Sequence, residues 1–219
     1  MALLDKEVSK QVKNMLGDME RTVKVLFFKS DDESKCEYCS TIEQLLAELS
    51  ELNDKISVEI IDVDEEEQKM EEYGIEMIPA LVPLTEDGKD LGVRFYGIPA
   101  GHEFSTFLQD ILVFSKGAVP QLSKESLKKL QGVEKPVNIK VFVTVACPYC
   151  PRAVFTAHQL AMANDRITAS MVEANEFMEL SAKFGVNSVP HVVINDEHFF
   201  VGAYPEKDFV EEVLKVAKG

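Results

Sequence analysis

The stretch "VTVACPYCPRAV", residues 143–154, sets Cys147 and Cys150 two residues apart, directly after the β-branched and aromatic-rich run "VNIKVFV" (Val137–Val143). The chain has two other cysteines, Cys36 and Cys39, in "CEYC" after a similar run, "VKVLFF" (Val23–Phe28). All four cysteines therefore fall into two C-x-x-C pairs with none left over. In a chain expected to be cytosolic, such pairs point to metal binding or redox chemistry before structural stapling.

Sliding the sequence by 111 residues superimposes the two pairs. It also aligns Cys36–Leu84 with Cys147–Asn195 without a gap, and the 49 columns hold 11 identities. Chance at ordinary residue frequencies would give about three. Matching blocks include "NDKI" (Asn53–Ile56) on "NDRI" (Asn164–Ile167) and "YGIEMIPAL" (Tyr73–Leu81) on "FGVNSVPHV" (Phe184–Val192). Further on, "FYGIP" (Phe95–Pro99) corresponds to "FVGAYP" (Phe200–Pro205). A period this long means a duplicated domain rather than a solenoid. The junction is expected near "SKGAVP" (Ser115–Pro120), dividing the chain into 1–116 and 117–219.

Each copy reads the same way. An amphipathic helix leads: Leu4, Val8, Val12, Met15 and Met19 in the first copy, and "LSKESLKKL" in the second, where Ser123 can cap and Leu122 and Leu127 form a staple. A buried strand then delivers the chain to the cysteines. In the first copy a helix follows, with Ile42, Leu45, Leu46, Leu49 and Leu52 at a 3.6 period, ended by Asn53-Asp54. Next come the strand "ISVEIIDV", an acidic helix ending near Gly74, then Pro79 and "ALVPL", a turn at Asp87-Gly88, "GVRFYG" and a closing helix. Strand, helix, parallel strand, helix and hairpin require an α/β unit with a mixed sheet and helices on both faces.

This order, with a C-x-x-C at a strand-to-helix turn, resembles the thioredoxin fold twice over. The whole chain resembles the glutaredoxin-like protein disulfide oxidoreductases of hyperthermophilic archaea and bacteria, on "CEYC", "CPYC", "MIPA" and "SVPH". The resemblance implies protein disulfide and dithiol substrates, a thioredoxin-reductase-like flavoprotein as electron source, and redox-active disulfides as the only cofactor. It also implies that Pro79 and Pro190 are cis and that the backbone of Ile78 and Val189 pairs with an extended substrate. Tyr38 and Tyr149 are expected to rim the sulfurs. The second copy offers Thr144, Val145 and Ala146 where glutathione-using glutaredoxins carry a lysine, so glutathione is not the expected partner. The related reading is an electron conduit for a peroxidase, like the amino-terminal region of the alkyl hydroperoxide reductase flavoprotein, whose first unit lacks the C-x-x-C that this chain keeps.

Exchange needs a thiolate to attack and a second thiol to resolve the mixed disulfide. A C-x-x-C at a helix start puts the first sulfur near free N–H groups and the positive end of the dipole, which favours the thiolate. Cys147 and Cys36 are thus the expected nucleophiles, and Cys150 and Cys39 the resolving thiols. Pro148 is expected in the first helical turn, whereas Glu37 sets a carboxylate beside Cys36; Cys147 should be the more acidic and its disulfide the more oxidising.

Other readings follow from the same residues. A zinc scaffold built from all four cysteines is the non-enzymatic alternative, although structural zinc pairs usually stand about 15–20 residues apart. His191 follows Pro190 where the first copy has Ala80, and His158 lies near an apolar helix face; both read first as packing residues. The acidic run Asp62–Glu67 reads as a solvated helix start. A net charge of −15 disfavours nucleic acid and anionic lipid. The N-terminal stretch has no secretory signal pattern and no 18-residue apolar window occurs, so a soluble cytoplasmic protein is expected.

Overall fold

The structure is a computed structural model and describes residues 2–217. The chain divides into two compact units. One comprises Met1–Asp90, Tyr96–Ile98 and Leu108–Ala118; the other comprises Leu91–Phe95, Pro99–Phe107 and Val119–Gly219. No helix among the described residues is long and apolar enough to cross a membrane.

The first unit begins with α1 (Lys6–Leu16), whose N-cap Asp5 accepts from the amides of Glu7 and Val8 at 2.8 and 2.9 Å. Strand β1 (Val23–Lys29) lies between β2 (Ile56–Asp62), parallel, and β3 (Ala80–Leu84), antiparallel. Strand β1 is buried on both faces over Val25, Leu26, Phe27 and Phe28, which is why these apolar residues come in succession rather than alternating. Helix α2 (Cys39–Leu52) buries Ile42, Leu45, Leu46 and Leu49 as its period demands. The shorter α3 (Glu67–Tyr73) ends at Gly74, whose φ of 59° is the left-handed cap conformation that favours glycine. The acidic run therefore differs from its expectation. Asp62 closes β2, residues 63–66 form the turn, and only Glu67 enters the helix. Strand β4 (Val93–Tyr96) and helix α4 (Glu103–Ser115) follow in the chain.

The second unit repeats the plan. Helix α5 (Lys124–Leu130) is capped by Ser123, whose hydroxyl accepts from the Ser126 amide. Strand β5 (Val137–Val143) pairs parallel with β6 (Ile167–Glu173) and antiparallel with β7 (His191–Ile194), which pairs with β8 (His198–Val201). Between them run α6 (Cys150–Ala163) and α7 (Met178–Lys183), and α8 (Glu206–Ala217) closes the unit.

The repeated "ND" dipeptide has one structural task in both units. Asn53 and Asn164 end α2 and α6 with nearly identical backbone angles, φ −151° and −152°, ψ 120° in each. Each side-chain amide donates to the last carbonyl of the leading helix, Leu16 at 2.7 Å and Leu130 at 2.8 Å. Each carboxamide oxygen accepts from an amide two residues on, Lys55 or Arg166, at 2.9 Å. One side chain thus satisfies a carbonyl that the helix end leaves without an intrahelical donor and fixes the turn into the next strand.

Candidate functional site

Each cysteine pair lies on the short connection from a central strand to the following helix. Both pairs are closed as disulfides, with Cα–Cα distances of 5.5 Å for Cys36–Cys39 and 5.6 Å for Cys147–Cys150. All four sulfurs are consumed within their own motifs, and no cluster of three or more potential metal-ligating side chains occurs among the described residues.

The helix starts fall later than the sequence reading places them. Both helices begin at the second cysteine, with Tyr38 and Tyr149 as N-caps that make no side-chain capping bond. Pro148 stands in the turn before α6, and the proline within the first helical turn is Pro151. Its missing N–H costs nothing there, because first-turn amides have no intrahelical acceptor. The consequence for the sulfur survives the shift. The Cys150 amide, one of those first-turn donors, points at Cys147 Sγ from 3.2 Å. A donor and a positive dipole end so placed stabilise negative charge on Cys147 once the disulfide opens.

Access differs between the pairs. Cys147 is 7% exposed and Cys150 fully buried, whereas Cys36 and Cys39 are each 4% exposed. In the second pair the first cysteine is thus the more exposed of the two, whereas the first pair shows no such difference. Tyr149 stands 71% exposed between its cysteines, while Tyr38 is half-buried. The surrounding charge differs as well. The approach to Cys36 carries Asp31, Asp32 and Glu33, all exposed, then Lys35, with Glu37 beyond the sulfur; residues 144–149 carry no charged side chain.

The peptide bonds Ile78–Pro79 and Val189–Pro190 are both cis. Register brings each proline to the sheet end where its cysteine loop starts. Ala80 pairs with Phe28 near the end of β1, and His191 pairs with Phe142 near the end of β5. Both prolines are buried, and Ile78 and Val189 are half-buried. The carbonyl of Pro79 accepts from the Gly97 amide at 3.0 Å and that of Pro190 from Gly202 at 2.8 Å, and the positive φ of these residues, 90° and 107°, explains the matched glycines of "FYG" and "FVG".

Two features carried no motif signal. The Val145 carbonyl, two residues before Cys147, accepts from the His102 amide at 3.0 Å. Gly101, with φ 59°, lies so close that a Cβ there would stand 2.1 Å from the same oxygen. Both residues belong to the second compact unit, although they lie far from Val145 in sequence. The other feature is His191. It is 3% exposed, stacked on Phe199 at 5.2 Å and set edge-on to Phe142 at 6.3 Å. Its buried Nε2 has no hydrogen-bond partner among the described residues, and burial pushes its pKa below the ordinary histidine value. His158 is fully buried, its ring 4.9 Å from that of Phe95.

A family profile described as the thioredoxin domain matches residues 137–215, and one described as a domain of unknown function matches residues 7–96. Fold and paired sulfurs together define a class: thioredoxin-like units that each carry a closed C-x-x-C disulfide. Within that class the chain is similar to the protein disulfide oxidoreductase of Aeropyrum pernix, with a TM-score of 0.89 and 28% identity over 99% of this chain and 94% of that one. It is also similar to the NTD_N/C domain of alkylhydroperoxide reductase AhpF from Enterococcus faecalis, with a TM-score of 0.85 and 28% identity over 95% of this chain and 99% of that one. Among curated proteins, the AhpF component of alkyl hydroperoxide reductase from Staphylococcus aureus is 27% identical over 216 residues, 98% of this chain. The chain spans only 38% of that relative's length.

Proposed function

We propose that this protein exchanges disulfides with other proteins in the cytoplasm, with Cys147 attacking and Cys150 resolving, and with Cys36 and Cys39 as a second centre. Each half of the chain, 1–116 and 117–219, then carries one complete centre. In the reducing direction, the Cys147 thiolate attacks one sulfur of a substrate disulfide, whose partner sulfur leaves with the bonding pair and takes a proton. Cys150, losing its proton, then attacks Cys147 Sγ, the mixed disulfide breaks, and the second substrate thiol departs. Two electrons pass to the substrate and the Cys147–Cys150 disulfide remains. The oxidising direction is the reverse.

The observation that carries this reading is the asymmetry of the second pair: a marginally exposed Cys147, under the Cys150 amide at 3.2 Å, beside a fully buried Cys150. The cis-prolines support strand addition by substrate beside Ile78 and Val189, with Tyr38 and Tyr149 at the rim. A thioredoxin-reductase-like flavoprotein would restore the dithiols.

The test is insulin reduction with dithiothreitol as donor. Cys147→Ser should lower turnover at least about 100-fold, while Cys36→Ser should retain a large fraction. Full activity in Cys147→Ser refutes the assignment, and stoichiometric zinc on the reduced chain would favour a scaffold instead. A second reading, electron supply to a peroxidase, rests on the similarity of nearly the whole chain to part of the AhpF component of alkyl hydroperoxide reductase. It predicts that Cys147–Cys150 is reoxidised during hydroperoxide turnover by a thiol peroxidase.

A further inference from the structure

Lys35 directly precedes Cys36, and a cation beside a cysteine ordinarily stabilises its thiolate. Here that cation is already engaged. The Lys35 ammonium is paired with one oxygen of Asp64, on the turn after β2, and the other Asp64 oxygen accepts from the Ser30 hydroxyl at 2.6 Å. Ser30 Oγ in turn accepts from the Asp32 amide at 3.0 Å, and the Asp32 carbonyl accepts from the amides of Lys35 and Cys36 at 2.9 and 3.2 Å. The network thus ties the end of β1, the turn after β2 and the cysteine loop together. The pairing draws Lys35 above the ordinary lysine value and Asp64 below the ordinary carboxylate value.

The second unit lacks every charged member of this network. Thr144, Ala146 and Asn175 occupy the places of Ser30, Lys35 and Asp64, and the Asn175 side-chain amide donates to Glu173 at 3.0 Å instead. The network is therefore not a requirement of the fold at a cysteine loop.

We propose that Asp64 is a positioning residue for the first redox pair: it competes with the Cys36 thiolate for the Lys35 ammonium and so holds that thiolate back. The inference rests on the reading of Cys36–Cys39 as a redox centre. When the disulfide is reduced, the ammonium has two anionic claimants, and the carboxylate, bonded by Ser30, is the one in place. Other charged residues on the loop and the elements that flank it are Asp31, Asp32, Glu33 and Glu37 on the loop, Lys29 at the end of β1, Glu43 on α2, Asp62 at the end of β2 and Glu76 before Pro79. Lys29 is itself paired with Asp31 and Glu43, at 2.7 and 2.8 Å. Of the two lysines by this loop, the one that precedes Cys36 in sequence is the one paired with Asp64.

The experiment reads Cys36 alone, in the full-length reduced protein, by mass-spectrometric mapping of iodoacetamide labelling across pH. Lys35 and Asp64 are 49% and 44% exposed at their side chains, so the coupling is a screened one. Asp64→Asn should lower the half-labelling pH of Cys36 by about half a unit, equivalent to roughly threefold faster labelling on the acid side. That shift should disappear when Asp64→Asn is made in a Lys35→Met background, and should shrink in 1 M salt. A shift of equal size with Lys35 removed would mean that Asp64 acts as a bare negative charge, and no shift in either background would mean that it does not act on Cys36; either overturns the proposal. Should Asp64→Asn fail to fold, Asp64→Ser, which keeps a polar group towards Ser30, carries the same comparison. Labelling needs no protein substrate, so this result is independent of the insulin assay that tests the functional reading.

Discussion

In the first unit the loop from Ser30 to Tyr38 is held by polar side chains: Ser30 and Lys35 both bond Asp64 on the turn after β2, Ser30 accepts from the Asp32 amide, and the Asp32 carboxylate accepts from Ser34. The loop from Thr144 to Tyr149 in the second unit has no charged residue, and its backbone is held by another backbone, the His102 amide on the Val145 carbonyl with Gly101 packed against it. The two loops do the same topological job, turning a central strand into a helix that starts at a cysteine. A brace of charges responds to salt, to pH and to a neighbouring thiolate. A backbone brace responds only to shape. The surroundings of the first pair are thereby open to tuning, while the loop of the second is braced by shape and carries no charge.

The largest effect should come from breaking the backbone brace. Gly101→Ala puts a Cβ where 2.1 Å separates it from the Val145 oxygen and 2.9 Å from the Val145 carbonyl carbon, at a φ that penalises any side chain. The loop or its neighbour must move. A loss of about 2–3 kcal/mol in urea unfolding is expected, accompanied by a change in Cys147 labelling and none in Cys36 labelling. Equal changes at both cysteines would show that the brace is not specific to the second centre.

Next in size is the contrast in acidity. Cys147 has the Cys150 amide aimed at its sulfur and no carboxylate in its loop, whereas Cys36 has Glu37 beside it and a lysine committed to Asp64. Below neutral pH, Cys147 should be alkylated roughly three- to tenfold faster than Cys36, and its disulfide should be the more oxidising. A faster Cys36 in mapped labelling would reverse the ranking of the two centres.

Much of this architecture is legible in the sequence because it is local or repeated. Strand β5 coincides with "VNIKVFV", Ser123 caps α5 as its spacing predicts, and the offset of 111 residues exposes cysteines, asparagine turns and prolines as paired features. What escapes is of two kinds. Helix starts depend on which residue first takes helical angles, and a sequence with prolines at both 148 and 151 does not say which of them lies inside. The Gly101–Val145 contact joins residues distant along the chain through a backbone carbonyl, which leaves no trace in side-chain type. The Lys35–Asp64 pair is similar. Either residue alone reads as one more surface charge in an acidic protein, and only the fold brings the turn after β2 to the cysteine loop.

The smallest difference concerns acid. His191 follows the second proline, where the first unit has Ala80, and is buried with its Nε2 unbonded among the described residues. Burial holds its folded-state pKa below the ordinary value of 6.5. The unfolded chain therefore binds this proton at a higher pH than the folded chain does. The contribution to stability is complete above about pH 6.5 and is lost as the pH falls through the folded-state value. The second unit should accordingly lose stability between neutral and mildly acidic pH through a group that the first unit lacks. Elsewhere in that unit, His198 is bonded to Glu212 at 2.6 Å. Lys215 first, and then His198, draws Glu212 below the usual carboxylate range, so the Glu212 contribution fades only at lower pH. His191→Phe should fill the same space between Phe142 and Phe199 and flatten the Tm profile from pH 7 to 5 by on the order of a few degrees. An unchanged slope in that variant would assign the acid sensitivity to the carboxylates and leave the histidine as packing alone.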